Sequence, residues 1–197
     1  MARVKLIYSP GDYPGQPDPA TRQGLEQLFQ HMFPGNPAPR IAADHSAMAA
    51  VAHNPQMALQ MAKFSAFMVL ESGWSKQHRA LRQLAIQALN WHYGCEFSFQ
   101  AHLRNTAAAG ISLEQQACIP FWRTTNAFDA EQRLVIEYTL AVVSGAVPEA
   151  LFAQVRDHYG ERGAVEFTTL IGWFSAWAMI INATGTSADL GHGKQGS

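Results

Sequence analysis

The sequence predicts an all-α fold of about seven or eight helices. Apolar residues recur at helical spacing, and no period-2 run of any length indicates a β-strand. Two capping-box patterns, SLEQ at residues 112–115 and DAEQ at residues 129–132, mark helix starts. The clearest apolar stripe consists of Leu81, Leu84, Ala85, Ala88 and Leu89.

The elements follow in order along the chain. Residues 9–19 carry four prolines and two glycines, so we expect an extended arm without regular structure, and a short helix follows over residues 21–33. Ser75 is the expected N-cap of the third of the later helices, and Gly94 is expected to end that helix in a left-handed turn. These later helices are predicted at about 44–53, 55–72, 76–93, 95–109, 113–118, 130–144, 148–159 and 163–183.

We divide the sequence into an N-terminal arm with a short helix (1–34), a helical domain (35–185) and a mobile tail (186–197). The chain has 197 residues, of which 48% are hydrophobic, enough for one domain with a full core. The net charge is −1, and the 14 Lys and Arg residues are scattered. This composition argues against a nucleic-acid partner or an anionic membrane surface.

The cellular location is predicted from the N-terminus and the cysteines. The first residues lack the apolar stretch of a secretory signal, and the two cysteines, Cys95 and Cys118, are typical of reduced thiols in a cytoplasmic protein. The most apolar segment, residues 167–183, approaches the length of a membrane span but contains polar interruptions. We therefore interpret it as a core or subunit-interface helix.

The segment HYGCEFSFQAH, residues 92–102, holds the candidate chemistry. Cys95, Ser98 and His102 share one helix face by their spacings of three and four. A thiol in a first helical turn feels the positive end of the helix dipole, so the pKa of Cys95 is expected to be lowered. His102 lies one turn from Ser98 and could act as its base, although no orienting carboxylate or oxyanion donor is evident for a hydrolase.

Neither a metal nor a cofactor is expected. A metal site built from His92, Cys95 and His102, with His45 or His53 added by the fold, has no recognised structural spacing. The alternative for each of these residues is a structural role: a buried cysteine as a small hydrophobe, and a histidine near a helix end as a hydrogen-bonded cap. Cys118 is expected to be an inert core residue.

The sequence resembles the carboxymuconolactone decarboxylase superfamily, which includes the alkyl hydroperoxidase D (AhpD) proteins and peroxidase-related members. The resemblance covers about residues 35–185 and rests on the segments AVAHNPQMALQM, SKQHRALRQLAIQALNWHYGCEFSFQAHLRNTAAAGIS, FDAEQRLVIEYTLAVV and LIGWFSAWAMIINATG. It implies an all-α fold and assembly into homo-oligomers, as dimers, trimers or hexamers.

The resemblance also implies an altered site. AhpD-type members carry a Glu, a Cys-x-x-Cys pair with an inner His, and a final His. In this sequence Cys95 and His102 match, whereas Ser98 stands at the attacking cysteine, Gln83 at the Glu and Phe97 at the inner His. Without the second thiol the disulfide exchange of that mechanism cannot run, and an amide cannot take up a proton at neutral pH.

Three functions therefore stay open. The first is a single-cysteine thiol peroxidase, in which Cys95 forms a sulfenic acid that an external thiol or Cys118 reduces. The second is a non-redox enzyme for a small organic acid or lactone, with His102 as acid or base and with Gln83, Ser98 and His92 polarising the substrate. The third is a non-catalytic protein that binds a small ligand. For the second function the expected ligand-binding side chains are His92, Phe97 and Trp91.

Overall fold

A computed structural model describes residues 2–187 of the chain and contains α-helices joined by short turns, with no strand in that range. The all-α prediction is therefore confirmed. The α-helices are α1 (Pro19–Met32), α2 (Ser46–Val51), α3 (Pro55–Ala66), α4 (Gly73–Gln77), α5 (Arg79–His92), α6 (Glu96–Ala108), α7 (Leu113–Cys118), α8 (Ala130–Ser144) and α9 (Glu149–Thr184).

The described chain divides into two compact units, one of residues 2–66 and 180–187 and the other of residues 67–179. In the first unit α1 packs against α3 and buries Leu25, Leu28 and Phe29. A Cβ on Gly24 of α1 would lie 2.9 Å from the Pro55 side chain. Gly24 is therefore the residue that lets these two helices approach closely.

The second unit is built around α5, which packs against α6 and α8. Every residue of α5 from Leu81 to Asn90 is buried, so this helix is central rather than amphipathic at the surface. Its apolar face joins a cluster formed by Leu84, Ala88, Ile111, Ile119, Trp122, Phe128 and Ile136. Cys118 packs against the same cluster and is partly exposed.

Local signals placed several helix ends correctly. The side chains of Ser112 and Asp129 accept hydrogen bonds from the third helical N–H in both predicted capping boxes. Gly94 has a φ of 58°, the left-handed conformation predicted for the end of α5. Gly160, with a φ of 74°, kinks α9 where two separate helices were predicted.

Two local expectations were wrong. The proline-rich arm contains a 3-10 turn over Pro10–Asp12, because Asp12 accepts hydrogen bonds from the backbone N–H and the hydroxyl of Ser9. Ser75 does not cap a helix, because it lies buried inside α4. The helical conformation is interrupted at His78, and α5 begins at the next residue. The helix predicted over 55–72 does form and ends at Glu71, and its last turn, Phe67–Glu71, is π-helical. Of the predicted tail, residues 188–197 lie outside the described residues.

The long helix α9 is the one described helix that is long and apolar enough to cross a membrane, with a mean hydropathy of 1.5 in its most apolar window. Only 39% of that window is buried. Length and composition alone do not distinguish a membrane span from a core or interface helix.

Candidate functional site

The candidate site lies where α6 packs on α5 in the second unit. Gln83 comes from the buried part of α5, and Ser98, His102 and Thr106 follow each other at intervals of four along α6. This spacing places the three α6 side chains on one face of the helix. The structure thus brings together Gln83 and His102, two of the predicted site residues.

A hydrogen bond of 3.1 Å joins the Nδ1 of His102 to the Oε1 of Gln83. An amide oxygen only accepts, so Nδ1 carries the proton in this bond. In the neutral imidazole the basic lone pair is then on Nε2. Gln83, which is 8% exposed, therefore selects the tautomer of His102 and orients its ring, as a carboxylate does in other acid–base sites.

Thr106 is a member of the site that the sequence analysis missed. Its hydroxyl donates to the same Gln83 oxygen over 3.4 Å and is fully buried. The amide nitrogen of Gln83 makes no hydrogen bond to any residue in the described range. Gln83 thus has its oxygen held on the α6 side and its N–H donors available. The position of Thr106, four residues after His102, was the signal that could have identified it.

Ser98 lies in the same row on α6 but is not paired with His102. The residue is 8% exposed, and its hydroxyl forms no hydrogen bond within the described part of the chain. The predicted hydrogen bond from Ser98 to His102 as its base is therefore absent among the described residues, and Nδ1 of His102 is bonded to Gln83 instead. Ser98 contributes an unengaged hydroxyl to the site.

The expectation for Cys95 was wrong. Cys95 is the N-cap residue of α6, and it is only 1% exposed. Burial raises the pKa of its thiol, and the backbone N–H of Ser98, which favours the thiolate, offsets only part of this effect. Removal of the thiol from water outweighs the helix dipole here, so the thiolate is disfavoured rather than promoted.

Phe174 of α9 brings an apolar ring to the imidazole. The rings of His102 and Phe174 meet edge to face, with their centroids 6.2 Å apart. This contact joins a third helix of the same unit to the site. An apolar neighbour on the imidazole limits water around it and favours small, partly apolar ligands.

A chain of buried amides fixes the position of α6. The Nε2 of Gln87 donates to the carbonyl oxygen of Phe99 and to the Oε1 of Gln116, over 3.1 and 2.8 Å. Gln116 in turn donates to the carbonyl oxygens of Leu103 and Ile111. Because buried amides are costly to leave unpaired, this network defines the register of α6 against α5 and α7.

The predicted ligand-binding residues lie elsewhere on these helices. Trp91 and His92 are exposed at the end of α5, roughly 12 Å along the helix axis from Gln83 by the rise per residue. The ring of His92 contacts Tyr93, at 5.1 Å between centroids. Phe97 is partly buried in the first turn of α6. Among the described residues, no hydrogen bond or ring contact joins Trp91, His92 or Phe97 to the Gln83–His102 pair.

Among the described residues, no group of three His, Cys, Asp or Glu side chains could hold a metal ion. Of the histidines considered for such a site from the sequence, His53 bonds the carbonyl oxygen of Lys5, and His45 precedes α2.

Comparisons with known proteins identify one curated relative of this chain. It is 24% identical over 121 residues to "Uncharacterized protein YdfG" of Bacillus subtilis (strain 168), covering 60% of this chain and 80% of the relative. No family model matches the chain. No solved structure matches it either.

Proposed function

We propose that the chain is an enzyme that performs acid–base chemistry on a small organic acid or lactone, without a redox step at a thiol. The observation that supports this proposal best is the hydrogen bond between Gln83 Oε1 and His102 Nδ1. A histidine whose tautomer is fixed by a buried neighbour is prepared to move a proton at its second nitrogen.

The proposed roles follow from the donors and acceptors of the site. His102 removes a proton from the substrate at Nε2 and later returns it. The Gln83 amide N–H donates to a carbonyl or carboxylate oxygen on which negative charge develops. The Ser98 hydroxyl offers a second hydrogen-bonding group on the same face of α6.

The single-cysteine peroxidase is the less favoured proposal. A peroxidatic cysteine must be a thiolate that peroxide can reach, and Cys95 is 1% exposed with a raised pKa. Peroxide consumption by the wild type and by Cys95→Ala tests this alternative. A rate that falls with the cysteine would restore it.

The proposed acid–base function is tested with a panel of lactones and carboxylated enols. The wild type is expected to turn over at least one member, and His102→Ala is expected to lose that turnover. His92→Ala is the matched control, since His92 is a solvent-exposed histidine of the same unit. Ligand binding that survives in His102→Ala without turnover in either protein would identify a binding protein instead.

Assembly into homo-oligomers is also proposed, supported by the exposed face of α9. This face, within the second unit, presents Val165, Thr169, Gly172 and Met179 at spacings of four, three and seven, and it carries no charge. Such spacing is typical of a helix seam that pairs with another helix. The mass in solution, compared between the wild type and Gly172→Glu, tests the proposal: a monomeric wild type would contradict it.

A cytoplasmic location is proposed on the basis of the thiols. Cys95 and Cys118 are both free, as is usual for cysteines in a reducing compartment. Fractionation of cells that produce the protein tests this location, and recovery in the membrane fraction would contradict it.

A further inference from the structure

Arg82 is a buried cation that the proposed acid–base chemistry does not use. It lies near the start of α5, next to Gln83, and it is 7% exposed. Its Nη1 donates to the carbonyl oxygens of Val69 and Ser75, over 2.7 and 3.1 Å. These are the only hydrogen bonds of its side chain within the described residues, and it forms no ion pair there.

One edge of the guanidinium is unoccupied. The Nε of Arg82 is buried and has no hydrogen-bond partner. In the planar guanidinium, the Nε–H and one Nη2–H point in the same direction and form a two-pronged donor edge. Because both backbone carbonyls are bound through Nη1, this Nε–Nη2 edge is left without an acceptor. Two oxygens of a carboxylate or phosphate match that edge in spacing and in charge.

The charge of Arg82 is not neutralised by its surroundings. Burial lowers the pKa of the guanidinium, and the positive charge of Arg79 lowers it further, yet arginine stays protonated in proteins. Buried charges are normally paired, since an unpaired one is costly. Two backbone carbonyls offer partial negative charge only.

The carboxylate of Glu166, which α9 brings to the start of α4, is already engaged. Glu166 accepts hydrogen bonds from the Ser72 hydroxyl and the Trp74 backbone N–H, and it pairs with Arg162. These bonds hold the pKa of Glu166 below its usual range, despite partial burial that acts in the opposite direction. Glu166 is therefore committed to the start of α4 and does not serve Arg82.

The neighbourhood of Arg82 contains a further unused donor. Ser75, whose carbonyl oxygen receives the Arg82 bond, is fully buried, and its hydroxyl has no partner in the described structure. Arg82 Nε and the Ser75 hydroxyl are therefore two buried polar groups without a partner, on residues that a hydrogen bond joins directly. Native proteins leave few buried polar groups without a hydrogen-bond partner, so a charged one such as Arg82 requires an explanation.

We propose that the Nε–Nη2 edge of Arg82 binds an oxyanion, the carboxylate or phosphate group of a small molecule. The site is distinct from the Gln83–His102 pair, because adjacent residues on a helix point about 100° apart. It does not depend on turnover at His102. In contrast to Nε, the Nη2 atom is not fully buried. An anion therefore reaches the guanidinium from the Nη2 side.

Acetate and inorganic phosphate are the probes, added at constant ionic strength against chloride. The midpoint of thermal unfolding of the wild type is expected to rise with one or both. Acetate alone would indicate a carboxylate ligand, and phosphate alone a phosphate ligand. Arg82→Lys keeps the charge but not the two-pronged edge, so its affinity is expected to fall roughly tenfold or more. Arg79→Lys, at an exposed arginine one turn earlier, is the matched control and should bind as the wild type does.

A second readout uses the wild type and so does not depend on the stability of a variant. The Nε–H resonance of Arg82 in the NMR spectrum is expected to shift on addition of the bound anion. An unfolding midpoint and an Nε–H resonance that respond to neither probe would overturn the proposal. Equal affinity in the wild type and a folded Arg82→Lys would overturn it as well.

Discussion

The start and the middle of α6 show how the same kind of sequence signal leads to opposite chemistry. At the start of the helix, Cys95 was expected to be activated, and it is instead buried with a raised pKa. Two turns later, His102 was expected to act on Ser98, and it is instead oriented by Gln83 from another helix. The difference lies in the partner: desolvation acts on the thiol, and a buried hydrogen bond acts on the imidazole.

The largest expected effect is a difference in turnover between variants at these two positions. His102→Ala should lower turnover of a lactone or organic-acid substrate by about 100-fold or more, because it removes the acid–base group. Cys95→Ala should leave turnover close to that of the wild type. Steady-state kinetics on folded variants provide the measurement. Loss of turnover in Cys95→Ala alone would assign the catalytic role to Cys95 rather than to His102.

The second expected effect concerns thiol reactivity. A disulfide reagent at neutral pH should label Cys118 at least ~10-fold faster than Cys95, because reaction needs an accessible thiolate. Cys118 is partly exposed, whereas Cys95 is 1% exposed. Labelling rates of Cys95→Ala and Cys118→Ala, each with one thiol left, give the comparison. Fast labelling of Cys95 would show that the start of α6 is reactive after all.

The third expected effect is on the free energy of unfolding, through the hydrogen bonds of Gln83 near His102. Gln83→Leu leaves His102 Nδ1–H and the Thr106 hydroxyl without their shared acceptor. Each buried group that loses its partner costs about 1–3 kcal/mol of unfolding free energy. Denaturant unfolding measures the change, and Gln77→Leu, at an exposed glutamine of α4, is the control. Equal stability of the two variants would mean that the Gln83 bonds contribute little.

The smallest expected effect is the contribution of the Cys95 thiol to the pH dependence of the unfolding free energy. Burial raises the pKa of the Cys95 thiol in the folded state, so the unfolded chain loses the proton first as pH rises. The thiol therefore stabilises the fold below its unfolded pKa, and this contribution is lost progressively above about pH 8.5. Unfolding free energies measured from pH 7 to 10 should decline less steeply in Cys95→Ala. Parallel curves would argue against a buried thiol.

The parts of the fold that depend on neighbouring residues were predictable from the sequence. Gly94 ends α5 because a left-handed residue needs no side chain, and the Ser112 and Asp129 boxes form within four residues. The break at His78 was not predicted, since both sides of it have helical sequences. Whether one or two helices form there depends on packing in the second unit rather than on local preference.

The site was predictable only in part, for the same reason. The spacing of Ser98 and His102 placed them on one face, and the resemblance singled out Gln83. Nothing local shows that Thr106 shares the Gln83 oxygen or that Phe174 covers the imidazole, because both contacts join distant segments. Burial of Cys95 is likewise a property of the packed helices, so a helix-dipole argument alone gave the wrong direction for its pKa.

The most direct test of the central claim is the tautomer of His102. Two-bond nitrogen–proton NMR correlations distinguish an imidazole protonated at Nδ1 from one protonated at Nε2. The wild type above neutral pH should show His102 protonated at Nδ1, and Gln83→Leu should lose this preference. A wild-type His102 protonated at Nε2 would contradict the account. The basic nitrogen would then be Nδ1, which faces Gln83.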